Sequence, residues 1–425
     1  MARVVIVSSD GHATARMPDY RPYLPTHMRD DFDAFCMVYK EEGSKSFEVK
    51  SLQFRLDPEE VERWRTGFVE SGRVEGYWNL ESRFRELDSE GIAAEVLFPD
   101  FGLPFEMRGA PALASTADYQ RTPEQVDAGY RAYNRWLVDF CSRAPERFAP
   151  LAAMSFDDVD AVLAEVKWAK DVGMKGVILP HFDEEYPVYH PRYDPVWSLL
   201  EDLEMVANCH SGMSSVTKYR YRISPTAPRE CIVPLHGPHT YFMAQQLLTQ
   251  FIWGGVLEHH PRLKLVMTEV GSAWIVGALR QMDYTWEGSY HRRDSHNIVK
   301  QKPSEYFRRQ CYLGSSIYSR AEVEARYEIG LEQMMLGMDY PHHEGTYLGG
   351  TLNYLQATVG AAGVPAAEAT KMLGETAVRV YGLDHSALDK VADRIGPPLD
   401  TVLKKPTAEL FPRGDVHKPL VPTYF

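Results

Sequence analysis

Eight short apolar runs, separated by longer amphipathic stretches, are what most limits the folds open to this chain. They are Val4–Ser8, Ala94–Phe98, Phe148–Met154, Gly176–Leu179, Met205–Cys209, Leu263–Thr268, Cys311–Leu313 and Gln333–Gly337. Between them, Pro123–Arg143, Val159–Val172, Pro195–Leu203, Met243–Trp253 and Trp274–Met282 carry helical periodicity. Such alternation is the pattern of βα units around a parallel sheet. Eight strands point to a (β/α)8 barrel, whose reactive groups gather at the carboxyl ends of the strands. An open doubly wound sheet fits the same alternation, but no GxGxxG or Walker loop stands where that fold would need one.

The 425 residues are 44% hydrophobic and 25% charged, enough for one large domain with insertions or two smaller ones. A net charge of −13 argues against a general nucleic-acid or anionic-membrane binder. An anionic small substrate stays open, because local arginines can overrule the global field. The 5 cysteines are scattered and no CxxC occurs, so neither a disulfide framework nor a thiolate zinc site is expected. A reduced, cytoplasmic setting fits best. The amino terminus is apolar only to Val7, too short for a signal-peptide core, and no stretch is long enough to span a membrane.

The expected domain is residues 1–384, with insertions at about 19–78 and 211–239. The first is charged and aromatic without strand periodicity and should form helices over the barrel rim. The second carries Lys218, Tyr219, Arg220, Tyr221, Arg222, His236 and His239, and reads as a loop serving as lid or substrate wall. Residues 385–425 are Pro-rich and polar, a C-terminal strap expected on the barrel or a neighbouring subunit.

Five strand ends carry metal-type chemistry. The first run ends in Asp10-Gly11-His12, whose alternate side chains can point at one spot beyond the strand. His210 and Glu269 follow the fifth and sixth runs, and Asp339 follows the eighth, with His342 and His343 close behind. His181 and the nearby Asp183 follow the fourth. A His at such a place can be a ligand or merely a hydrogen-bonded structural residue. A buried carboxylate there needs a cation or an arginine. On successive βα units of one barrel, all five ends would converge.

Over most of residues 1–384 the chain resembles the amidohydrolase superfamily, in the branch of aminocarboxymuconate-semialdehyde and resorcylate decarboxylases. The likeness lies in Asp10-Gly11-His12, Leu87–Pro99, Tyr193–Trp197, His210-Ser211-Gly212, Gly337–His342 and Leu373–Gly382. It implies a distorted barrel with a metal held at positions that fall here on Asp10, His12, His210, Glu269 and Asp339. The family more often has His where this chain has Asp10 and Glu269. Carboxylate-rich oxygen/nitrogen sites suit iron or manganese better than an imidazole-rich zinc set does. One offshoot with similar substitutions performs non-haem di-iron oxygenation in terpenoid natural-product pathways.

The favoured expectation is therefore a di-iron monooxygenase using dioxygen to hydroxylate a hydrophobic acid or thioester. His181, His342 or His343 would support the ligands from behind or complete a second metal site. The alternative is a hydrolase or non-oxidative decarboxylase of a small carboxylic acid, with one zinc or manganese. There Asp339 would act as ligand or base, and His210 or His342 would polarise the substrate. A barrel that only binds a ligand would keep these groups buried at a cost. Substrate contacts are sought at Arg220, Arg222, Trp274 and His343, and family habit suggests a homo-oligomer.

Overall fold

A computed structural model describes residues 3–42, 61–62, 64–100, 103–105, 121–211, 226, 232–288, 294–342, 345 and 349–406; for 38, 40–42, 232–240 and 316 it describes the backbone alone. Eight parallel strands pair in chain order: Val7–Ser8 (β1), Ala94–Leu97 (β2), Phe148–Ala153 (β3), Gly176–Ile178 (β4), Val206–His210 (β5), Leu265–Thr268 (β6), Cys311–Ser316 (β7) and Met334–Gly337 (β8). β8 returns to β1 through Ser9 N–H donating to Leu336 O (2.6 Å) and Asp339 N–H donating to Asp10 O (2.9 Å). The result is a nearly closed TIM barrel.

Each expected strand is present with ends shifted by a few residues. β7 runs on to Ser316 although Gly314-Ser315-Ser316 lacks an apolar signature, because Ser315 and Ser316 register with Leu336 and Gly337. Cross-strand pairing there overrides local propensity. Caps mark the helix starts. Asn79 opens Leu80–Glu90, Thr122 forms a capping box for Pro123–Cys141, and Asp158 caps Val159–Asp171.

The loop expected over 211–239 is corrected in its last part. A helix spans Ile232–Trp253, so the residues from 232 onward belong to it. Pro234 falls in the first turn, where N–H groups have no intrahelical partner to lose. Lys218, Tyr219, Arg220, Tyr221 and Arg222 lie outside the described residues.

In the region 19–78 the described residues include helices Arg29–Glu42 and Arg73–Tyr77. Val61, Trp64 and Phe68 there form a small core of their own against Tyr340, just past β8. At the opposite end, Lys175 and Lys264 donate to Gly382 O (3.2 Å) and Val380 O (3.0 Å), and the Tyr381 hydroxyl reaches Asn208 Oδ1 (2.7 Å). Helix Thr376–Tyr381 thereby closes the amino end of the barrel, and the carboxyl end is left for the site. Beyond it, Val4 N–H donates to Pro397 O (3.1 Å), tying the start of the tail to the segment that leads into β1. Among the described residues no helix is long and apolar enough to cross a membrane.

Candidate metal centre

The carboxyl end of β1 supplies Asp10 and His12, β5 ends in His210, and the turn after β8 supplies Asp339 and His342. Two overlapping groups of donor atoms result, Asp10–His12–His210 and His12–Asp339–His342, each within 4.8 Å. Asp10 and Asp339 are 0% exposed, His12 1% and His210 2%. Glu269, after β6, lies on the flank with its Oε2 3.5 Å from His210 Nδ1.

Backbone geometry aims the two later carboxylates. Glu269 (φ 56°) and Asp339 (φ 54°) both adopt the left-handed conformation, which is uncommon for residues with a Cβ. Their N–H groups donate to the next strand around the barrel, Glu269 to Gly314 O (3.0 Å) and Asp339 to Asp10 O (2.9 Å). The turn thus keeps the ladder going while each side chain leaves it. Left-handed backbone at a non-glycine residue costs about 1–3 kcal/mol and persists where the surroundings over-determine it.

Hydrogen bonding sets the imidazole tautomers. His12 Nδ1 lies 2.9 Å from Pro99 O and His210 Nδ1 lies 2.8 Å from Ser211 O, so each Nδ1 donates to a main-chain carbonyl. Their Nε2 atoms then face carboxylates: His12 lies 3.3 Å from Asp339 Oδ1 and 3.7 Å from Asp10 Oδ1, and His210 lies 3.2 Å from Asp10 Oδ1. A lone pair aimed at a carboxylate oxygen is unfavourable unless a cation or proton lies between them. His12 Nε2 and both Asp339 oxygens are buried without an aligned hydrogen-bond partner. These features fit a divalent metal, whose histidine ligands commonly anchor the other ring nitrogen in this way.

The titration tendencies show the same crowding. Burial disfavours charge on His210, but the Asp10 carboxylate outweighs it and holds the imidazole up at about 9. Burial drives the Glu269 carboxyl well above its usual range, against the pull of His210, although the side chain is 27% exposed and solvent tempers the effect. His342 is held well above the ordinary imidazole value, because Asp339 and Asp100 override its burial.

Gly337, at the end of β8, leaves room for this arrangement. A Cβ there would come 2.8 Å from Asp10 Cβ and 2.9 Å from Ser315 O. Gly337→Ala is expected to cost about 1–3 kcal/mol of stability and to weaken metal binding by pushing Asp10 aside. Urea unfolding and manganese titration check it; a variant unchanged in both would show that the contact relaxes freely.

Other sequence candidates lie elsewhere. His181 follows β4 but joins neither donor group. Trp274 spends its indole N–H on Val270 O (2.8 Å) and Gly271 O (3.2 Å), in the turn that starts helix Trp274–Trp286. His343 lies outside the described residues, as do the side chains of His236 and His239. Two neighbours of the site were not singled out from sequence. Asp100 Oδ2 accepts the Tyr77 hydroxyl and lies 3.3 Å from His342 Nε2. The strand-end rule applied to Phe98-Pro99-Asp100 would have reached Asp100; nothing local marks Tyr77.

A family model described as Amidohydrolase matches residues 102–383. A gamma-resorcylate decarboxylase from Rhizobium sp. (strain MTP-10005) is 22% identical over 320 residues, covering 72% of this chain and 87% of that protein. Among solved structures, 5-carboxyvanillate decarboxylase from Sphingomonas paucimobilis superposes with a TM-score of 0.60 at 18% identity, over 90% of this chain and 100% of its own. The 5-carboxyvanillate decarboxylase from Novosphingobium aromaticivorans DSM 12444, complexed with manganese and 4-hydroxy-3-methoxy-5-nitrobenzoic acid, gives 0.62 at 15% identity, over 89% and 96%.

The oxygenase expectation is overturned by these relatives, which are named as decarboxylases. The expected pair of irons and the use of dioxygen rested on that expectation and find no support. The physical reason is plain: carboxylate donors select for a hard ion, and manganese satisfies that without oxygen chemistry.

Proposed function

The chain belongs to the amidohydrolase family, and from that premise we propose that it is a divalent-metal-dependent, non-oxidative decarboxylase of a hydroxylated aromatic carboxylic acid. The observation that carries this reading is the pair of tautomer-fixed imidazoles, His12 and His210, turned with Asp10 and Asp339 onto one buried spot. Asp10, His12, His210 and Asp339 would hold the metal, with Glu269 beside them. When bound, the metal supplies a Lewis acid that attracts the substrate's carboxylate and hydroxyl oxygens.

The rest falls to the chain's own groups. Decarboxylation breaks the bond between ring and carboxyl carbon, leaves its electron pair on the ring and releases carbon dioxide. The ring carbon must then take a proton. Asp339 and His342, with Oδ1 and Nδ1 2.9 Å apart, can hold that proton at the rim. The His342 side chain is 17% exposed, so the pair can be recharged from solvent. Phe98, fully buried with its ring 4.5 Å from that of His210, excludes water beneath the imidazoles. The free thiols of Cys36, Cys141, Cys209 and Cys311 support a reduced, cytoplasmic setting for this activity.

The test is anaerobic. Manganese-loaded protein is expected to release carbon dioxide from 2,6-dihydroxybenzoate or 5-carboxyvanillate without oxygen. Chelation should lower the rate by at least ~100-fold, and manganese should restore it. Fully metallated protein that releases no carbon dioxide from any hydroxybenzoate would refute the proposal.

A further inference from the structure

His342 is hydrogen-bonded differently from the other two imidazoles of the site. His12 and His210 each anchor Nδ1 on a main-chain carbonyl and present Nε2. In His342 both nitrogens meet carboxylates, Nδ1 at 2.9 Å from Asp339 Oδ1 and Nε2 at 3.3 Å from Asp100 Oδ2. Its two nitrogens therefore link the Asp339 carboxylate to the Asp100 carboxylate, with no main-chain carbonyl between. Its plane is set by stacking on His12, with centroids 4.2 Å apart.

The far anion is itself anchored. Asp100 is 2% exposed and accepts the hydroxyl of Tyr77, which is 1% exposed. The chain of contacts draws on three parts of the fold: Tyr77 from the region before helix Leu80–Glu90, Asp100 from the end of β2, and His342 from the turn after β8. Asp339 holds a left-handed backbone whose side chain no aligned hydrogen bond steadies. Something must set its carboxylate orientation, and His342 Nδ1, 2.9 Å from its Oδ1, lies closer to it than His12 Nε2 at 3.3 Å.

We propose that Asp100, clamped by Tyr77, is a positioning residue that acts through His342 to orient the Asp339 carboxylate, with His342 as the link between them. The proposal rests on the metal-holding part of the function above and not on the identity of the substrate.

The experiment measures the manganese dissociation constant of the full chain by competition with a chelator. Asp100→Asn is isosteric and should weaken binding about 10–100-fold. Tyr77→Phe should shift it in the same direction by less. His342→Gln should match Asp100→Asn, whereas His12→Ala should abolish binding. Adding Asp100→Asn to His342→Gln should change the constant by less than about twofold, because the route of action is already gone. In metal-free protein, a urea-unfolding cycle between the two positions should show coupling.

Loss of binding in His342→Gln as complete as in His12→Ala would make His342 a ligand and overturn the proposal. So would a full Asp100→Asn effect in the His342→Gln background, or an uncoupled unfolding cycle. Manganese results as expected without carbon dioxide release would count against the decarboxylase alone; a native chain that binds no manganese would overturn both.

Discussion

Asp339→Asn is expected to leave a folded chain that no longer retains divalent metal and no longer turns over substrate. The residue is completely buried, and neither carboxylate oxygen has an aligned hydrogen-bond partner. Its Oδ1 lies 2.9 Å from His342 Nδ1 and 3.3 Å from Nε2 of His12, the residue the two donor groups share. Asparagine removes the charge and brings an N–H that can donate to His12 Nε2, satisfying without a cation the atom that otherwise calls for one. It also tolerates the left-handed backbone well, so the turn after β8 should survive. The loss should exceed the ~10–100-fold typical of a residue that only supports a ligand. Metal analysis and carbon dioxide release on the same preparation check it; a variant with full metal and full turnover would remove Asp339 from the site.

Arg83→Leu should be the most destabilising single change for the fold, by about 3–5 kcal/mol. Arg83 and Glu95 are both fully buried, with Nε 2.7 Å from Oε2. The guanidinium also donates to the main-chain carbonyls of His12 and Gly76 and lies 4.5 Å over the Tyr340 ring. It therefore ties β2, the end of β1 and the turn after β8 to helix Leu80–Glu90. Burial pushes the Glu95 carboxyl upward and Arg83 opposes that shift. Without Arg83 the carboxylate must neutralise or remain an unpaired buried charge. The double variant Arg83→Leu, Glu95→Leu should regain most of the loss, short of what the His12 carbonyl bond contributed. Urea unfolding of both variants decides; a single variant within about 1 kcal/mol of the native chain would mean the pair contributes little.

The barrel was legible because strand and helix are local periodicities. Val206–His210 and Leu265–Thr268 are buried at every position, and the sequence shows them as short, mostly apolar runs with His210 at the end of one and Glu269 just past the other. Asp10 and His12 were legible for the same reason, since two residues along extended backbone return to one face. The β7 extension and the helix from Ile232 were missed, because a Gly-Ser-Ser segment and a proline carry the local signature of a loop. The oxygenase expectation failed for a chemical reason. Donor type constrains the hardness of an ion, and ions of similar hardness support unrelated reactions.

By itself, then, the order of residues determined the eightfold alternation and which strand ends bear donors. Only the closed barrel decided that His210 meets Asp10 across 200 positions, and that His342 sits between Asp339 and an Asp100 that lies 242 positions away. The tautomers of His12 and His210 depend likewise on the carbonyls of Pro99 and Ser211, which the ends of β2 and β5 bring into place. Periodicity reports the face a side chain occupies. The partner it meets there depends on how distant strands register and close, which no local pattern encodes.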